Sequence, residues 1–137
     1  MIENKAYALA IVLDASLLQV PECGGYAVGV TRADGSYVVF RDTHGAIYAD
    51  EDACLEDPSG GVRSEWPPWG SGESWAVGFA TLIGGQAHDR GGEWEVLYQR
   101  GDSRFSVIGA DKAELYQSRG HYAACGEPEY YGWDWNV

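Results

Sequence analysis

The sequence predicts an α+β domain built on antiparallel hairpins, and three observations carry that expectation. Residues 26–40 and 93–109 each hold two arms of apolar and β-branched residues. Short turn signals break them, Ala33-Asp34-Gly35 in the first and Gly101-Asp102-Ser103 in the second, since Asp and Gly tolerate the left-handed backbone of a tight reversal. A helix-start signal follows each hairpin, at Asp50 and at Asp111. Near the N-terminus, Ile2, Ala6, Leu9, Leu13 and Leu17 recur at helical spacing. The chain of 137 residues reads as one domain (1–137), large enough to bury a core without staples. The expected architecture is an antiparallel sheet, or two small ones, built from the two hairpins. An N-terminal helix and two short helices pack on it.

In chain order, residues 2–20 read as a helix ended by Pro21, with a buried strand at 6–13 as the competing period. Cys23-Gly24-Gly25 leads into the first hairpin. A turn at 41–45 and a short third strand at 46–49 follow. Asp50 is a natural N-cap, and Glu51 and Asp52 in the first turn suit the helix dipole, which predicts a short helix over 51–57. Residues 58–74, rich in Gly, Ser and Pro, form a long loop carrying Trp66-Pro67-Pro68-Trp69. Residues 75–83 alternate large and small side chains and read as a strand, residues 84–92 as a mobile connection, and the second hairpin then completes a three-stranded meander. Asp111 with Glu114 makes a capping-box pair, predicting a helix over 112–119 stopped by Gly120. Residues 121–125 read as a possible strand before an aromatic and acidic tail, 126–137. Both halves run hairpin, Ala-Asp, short helix, which raises an internal duplication that matches Ala49-Asp50 with Ala110-Asp111.

Charge is the strongest global signal. Nine Lys and Arg against 21 Asp and Glu give a formal charge of −12, a field that repels nucleic acid and anionic membrane and draws basic partners. Six Trp and nine Tyr against three Phe favour rings with polar handles, the kind enriched at interfaces. Cys23, Cys54 and Cys125 are an odd, widely spaced set with no CxxC, which points to a reducing compartment. Glu3 and Asp14 bracket the apolar run 6–13, which reads as neither a signal peptide nor a membrane span.

Candidate chemistry is sparse. His44, His88 and His121 lie in or beside turns, the first two near Asp42 and Asp89, without HExxH or HxH spacing. Cys125 is close to His121, but Glu127 and Glu129 disfavour a thiolate, so it reads as a buried structural cysteine. The acidic run 50–57 is too short for a calcium loop and lacks its mid-loop Gly. No glycine pattern for nucleotide binding opens a helix, and Arg100-Gly101-Asp102 reads as a turn.

The expectation is therefore a non-enzymatic acidic binding protein. It docks a basic, nucleic-acid-handling protein and blocks it, and phage anti-CRISPR inhibitors and toxin-immunity proteins look like this in size and charge. The expected partner-binding residues are Asp50, Glu51, Asp52, Glu56 and Asp57 for steering, with Trp66, Trp69, Tyr130, Tyr131 and Trp133 as anchors. No catalytic residue, metal or cofactor is expected, nor direct contact with nucleic acid or membrane. The protein is expected to be a cytoplasmic monomer or homodimer, in the host cytoplasm if phage-encoded. The alternative is a small-molecule-binding protein or small enzyme with a pocket lined by Trp and His.

Overall fold

The computed structural model describes residues 1–20 and 25–133. The first half runs α1 (Glu3–Leu13), β1 (Ser16–Val20), β2 (Gly25–Thr31), β3 (Tyr37–Phe40), β4 (His44–Tyr48), α2 (Glu51–Glu56) and β5 (Val62–Glu65). The second repeats the order as α3 (Glu73–Ile83), β6 (Gln86–Arg90), β7 (Glu93–Gln99), β8 (Phe105–Ile108), β9 (Lys112–Tyr116), α4 (Arg119–Ala123) and β10 (Glu129–Gly132). The strands make two five-stranded antiparallel meanders, β1-β2-β3-β4-β5 and β10-β9-β8-β7-β6. The molecule is a single α+β domain with an N-terminal helix and two sheets.

The two long helices lie between the sheets. Helix α1 packs on β1 and β2 of its own sheet and on β8, β9 and β10 of the other; α3 packs on β6 and β7 and reaches across to β4 and β5. Each half therefore completes its core with the other's helix. From one sheet Val28, Val30, Val38 and Phe40 face inward, and from the other Val96, Tyr98, Ile108, Ala113 and Leu115. Burying each large side chain contributes about 1.5–3 kcal/mol. Both helices end in the left-handed region, at Asp14 (φ 54°) and Gly84 (φ 80°). A guanidinium from the other half meets each end: Arg100 Nη1 donates to the Ile11 carbonyl at 2.9 Å, and Arg32 Nη1 to that of Leu82 at 3.0 Å. Positive charge there complements the negative end of the helix dipole and adds a donor to last-turn carbonyls.

Both hairpins form where the sequence predicts them. Arg32 N–H donates to Ser36 O at 2.8 Å, and Arg100 N–H to Arg104 O at 2.9 Å. The short helix after Asp50 is also present, with Asp50 Oδ1 accepting from Ala53 N–H at 2.8 Å. Other expectations need correction. The N-terminal helix stops at Leu13, and 16–20 form strand β1, paired to β2 with Leu18 opposite Ala27. Residues 75–83 are helix α3, because Trp75, Phe79, Leu82 and Ile83 also fall at helical spacing and bury one face. The connection 84–92 contains β6, and the loop 58–74 contains β5. Residues 112–116 are strand β9, held between β8 and β10 with Ala113 and Leu115 inward. The short helix comes later, as α4 on an N-cap from Ser118, over residues expected as a strand.

The repeat is therefore real in element order but differs in register from the sequence expectation: Asp50 corresponds to Ser118, and Asp111 to Thr43. Trp66 N–H donates to Thr43 O and Trp133 N–H to Asp111 O, marking the same closure in both halves. Cys23, Asp134 and Trp135 lie outside the described residues.

Candidate functional site

Helix α2 rests on the outer face of the first sheet. Ala53 and Cys54 are half-buried, while Glu51, Asp52, Leu55 and Glu56 face solvent. Leu55, 73% exposed, is the apolar centre of an acidic surface. Asp57 Oδ1 accepts from the Ser59 hydroxyl at 2.8 Å, which turns the chain toward β5. Among the described residues, none of Asp50, Glu51, Asp52, Glu56 and Asp57 forms an ion pair. Meanwhile Lys5, Arg32, Arg63, Arg90, Arg100 and Arg104 are all matched to carboxylates elsewhere. Five uncompensated charges on six helical residues and their two flanks are a dense local field.

The expected aromatic anchors divide. Trp66 and Trp133 are each only 6% exposed and offer a partner little surface. Trp66 Nε1 donates to the Asp42 carbonyl at 2.7 Å, and its ring packs edge-on to Phe79 at 5.9 Å. Trp69 is half-buried, tilted against Phe79 at 4.6 Å and Trp75 at 5.2 Å, with Nε1 donating to Gly109 O at 3.0 Å. The Pro-stiffened segment thus pins indole rings into the core. Tyr130, 63% exposed, and Tyr131 stay at the surface on edge strand β10. With Tyr7, an exposed residue of α1, they line a shallow depression of about 290 Å³. Sequence reasoning missed Tyr7 and Leu55. The interruption of the acidic run by Leu55 was the available signal for the second.

Lys5, buried beside Trp69 with Nζ 3.9 Å from the ring centroid, pairs with Asp42, which also meets the N-terminal amine at 3.5 Å. Burial lowers the Lys5 pKa against the pull of Asp42. Burial would raise Asp42, but Lys5 and the N-terminus outweigh it and hold the carboxyl below its ordinary value. On the outer face of the second sheet, Arg90 lies 3.7 Å from Glu95 and 3.9 Å from Glu114. Burial raises the Glu95 pKa, opposed by Arg90 and His88, and Glu95 Oε1 has no hydrogen-bond partner among the described residues. Tyr116 beside it is pushed up to about 12 by burial and by Glu114.

The three histidines do not converge. His44 lines a cavity on the first sheet, with Arg41 and Arg63. His88 pairs with Glu95 across β6 and β7. His121 Nδ1 accepts from Gln117 N–H at 3.2 Å, with its ring against Tyr116. Cys125 is exposed, correcting its expected burial: it follows α4 in a left-handed turn (φ 58°) that carries it outward. Among the described residues, no group of three His, Cys, Asp or Glu could hold a metal ion, and no helix is long and apolar enough to cross a membrane. Comparisons with protein-family models, with curated proteins and with solved structures give no match for this chain.

Proposed function

We propose that the protein is a non-enzymatic acidic binding protein that docks a basic protein, in particular one that handles nucleic acid, and blocks its working surface. Phage anti-CRISPR inhibitors and toxin-immunity proteins share its small size and acidic character. The observation that carries the reading is α2, whose acids are solvent-facing, unpaired and gathered around exposed Leu55. In this mechanism the row of carboxylates stands in for phosphates and steers the partner in. Leu55 then supplies apolar contact at the centre of the charged surface, and Tyr130 and Tyr131, with Tyr7, supply a second anchor of the amphipathic type that interfaces favour. Trp66, Trp69 and Trp133 act indirectly, by making the scaffold rigid so that little entropy is lost on binding.

The test begins with parallel pull-downs from lysate, using wild type and Asp50→Lys/Glu51→Lys/Asp52→Lys across a salt series. A basic protein held only by wild type is then purified for stopped-flow measurement. The triple reversal is expected to slow association by about ten-fold or more and to flatten its dependence on ionic strength. Leu55→Ser and Tyr130→Ala are expected to act mainly on dissociation. An association rate indifferent to the reversal would remove the steering role.

A further inference from the structure

The first sheet carries a feature at odds with an acidic protein. On its outer face, β3, β4 and β5 and the loop before β5 enclose a cavity of about 310 Å³, within the range of small-molecule sites. Arg41, His44 and Arg63 line it together with Val39, Ala46 and Tyr48. Two features build its rim. Tyr48 donates its hydroxyl hydrogen bond to the Pro58 carbonyl, tying the loop to the sheet. A Cβ on Gly61 would lie 2.8 Å from the Tyr48 ring and 2.9 Å from Ala46 Cβ, so the loop closes to this distance only with glycine there.

The second half carries different side chains at the matching positions. Arg41 N–H donates to His44 O at 2.8 Å, and Gly109 N–H to Lys112 O at 2.9 Å, which aligns the two turns. Ala46 pairs with Arg63 as Glu114 pairs with Tyr130. At the second site Lys112 Nζ sits 5.5 Å from the Tyr130 ring centroid and the Glu114 carboxylate contacts the Tyr116 hydroxyl at 3.4 Å. An acid therefore stands there between two tyrosines. In the first half Ala46 leaves the space open and two arginines flank it.

We infer that this cavity binds a small organic anion, its oxyanion group met by Arg41, His44 and Arg63 and its apolar body lying on Val39, Ala46 and the Tyr48 ring. Guanidinium groups suit carboxylate and phosphate oxygens because their planar donors engage two oxygens at once. Arg63 now lies 3.4 Å from Glu65, an exposed pair of little worth that a ligand would displace. His44 reports occupancy. Burial lowers its pKa, Arg63 and Arg41 push the same way, and Glu65 and Asp42 oppose them; an anion set among these groups reverses the balance.

The experiment is a titration of the full chain with phenyl phosphate, benzoate, inorganic phosphate and phenol, followed by imidazole NMR resonances. Phenyl phosphate or benzoate is expected to shift the His44 signals and raise its midpoint, leaving His88 and His121 in place. Whichever of the two binds tighter identifies phosphate or carboxylate as the preferred group. Inorganic phosphate is expected to bind about ten-fold more weakly, for want of an apolar body, and phenol not to bind. Arg63→Ala is expected to weaken binding by about ten-fold, Ala46→Leu to fill the cavity and abolish it, and Arg119→Ala, outside the cavity, to change nothing. No His44 response in the millimolar range, equal responses from all three histidines, or unchanged binding by Arg63→Ala would each overturn the inference.

Discussion

The two halves share an element order and differ in what they place at matching positions. At the third residue of the long helix, the first half has Lys5, buried against Trp69 and paired with Asp42; the second has Trp75, fully buried, its Nε1 without a hydrogen-bond partner among the described residues. At the seventh, the first has Leu9 and the second Phe79. On the outer faces, the first half carries the unpaired acids of α2 beside an open cationic cavity. The second carries a cluster in which Arg90 bridges Glu95 and Glu114, and Tyr122 of α4 packs on Phe105 and Tyr116 at 5.0 and 5.1 Å. The backbone plan tolerates this because each sheet needs only its inner alternate residues for the core. Outer positions are free to differ, and the acids of α2 and the cationic cavity both lie on the outer face of the first half.

The largest expected effect separates the halves in their cores. Phe79 packs with Phe40 at 4.9 Å, Trp69 at 4.6 Å and Trp66 at 5.9 Å, so Phe79→Ala empties the centre of an aromatic cluster. It is expected to cost about 4 kcal/mol, against about 3 kcal/mol for Leu9→Ala at the matching place. Denaturant unfolding of both variants measures the difference. A Leu9→Ala loss equal to or above that of Phe79→Ala would show that aromatic packing does not distinguish the halves.

The same aromatic segments show why the sequence was only partly readable. The hairpins were legible because Asp34-Gly35 and Asp102-Ser103 are local turn chemistry, and α2 because Asp50 is a local cap. Helix α3 was not, because Trp75, Phe79 and Ile83 fit alternate and helical spacing together, while Val77 fits only the first and Leu82 only the second. Its Gly78, a poor helix residue, is explained only by the Trp66 side chain 3.0 Å from where a Cβ would stand. Strand β9 was hidden for the opposite reason: Asp111 and Glu114 imitate a capping box, yet pairing on both sides with β8 and β10 decides the conformation. The acids of α2 were legible as a surface, since charge seldom buries. The burial of Trp66 and Trp133 was not, because proline fixes how the chain bends and not which way a ring faces.

A smaller effect tests how each half closes the other's helix. Arg100 reaches Ile11 O, pairs with Asp102 at 2.6 Å and lies 3.9 Å from Asp14, with a side chain 11% exposed. Arg32 reaches Leu82 O and pairs with Asp34 at 3.2 Å, with a side chain 21% exposed. The more enclosed guanidinium, gripping both carboxylate oxygens of Asp102, is expected to matter more. Arg100→Ala should cost about 2 kcal/mol and Arg32→Ala about 1 kcal/mol, read from chemical unfolding. Equal losses would make the two clasps interchangeable despite their different surroundings.

The smallest effect is the sharpest on mechanism, because the two hairpin acids sit in matching turns and are held by different chemistry. The Asp34 pKa is lowered to about 2, chiefly by the hydroxyl and amide of Ser36 and then by Arg32. Asp102 is also lowered, but its leading cause is Arg100, with the Arg104 amide helping. Both carboxyls titrate lower folded than unfolded. Each therefore contributes stability above its ordinary value near 3.8, and for Asp34 that contribution is lost as pH falls toward about 2. Salt separates the causes, since it screens the ionic interaction with Arg100 more than the neutral hydrogen bonds from Ser36. Carboxyl NMR titrations at low and high ionic strength should move the Asp102 midpoint upward and leave that of Asp34 nearly in place, while Ser36→Ala should raise Asp34 alone. If added salt shifted both midpoints equally, one electrostatic clasp would serve both turns, and the difference between the halves would stop short of their hairpins.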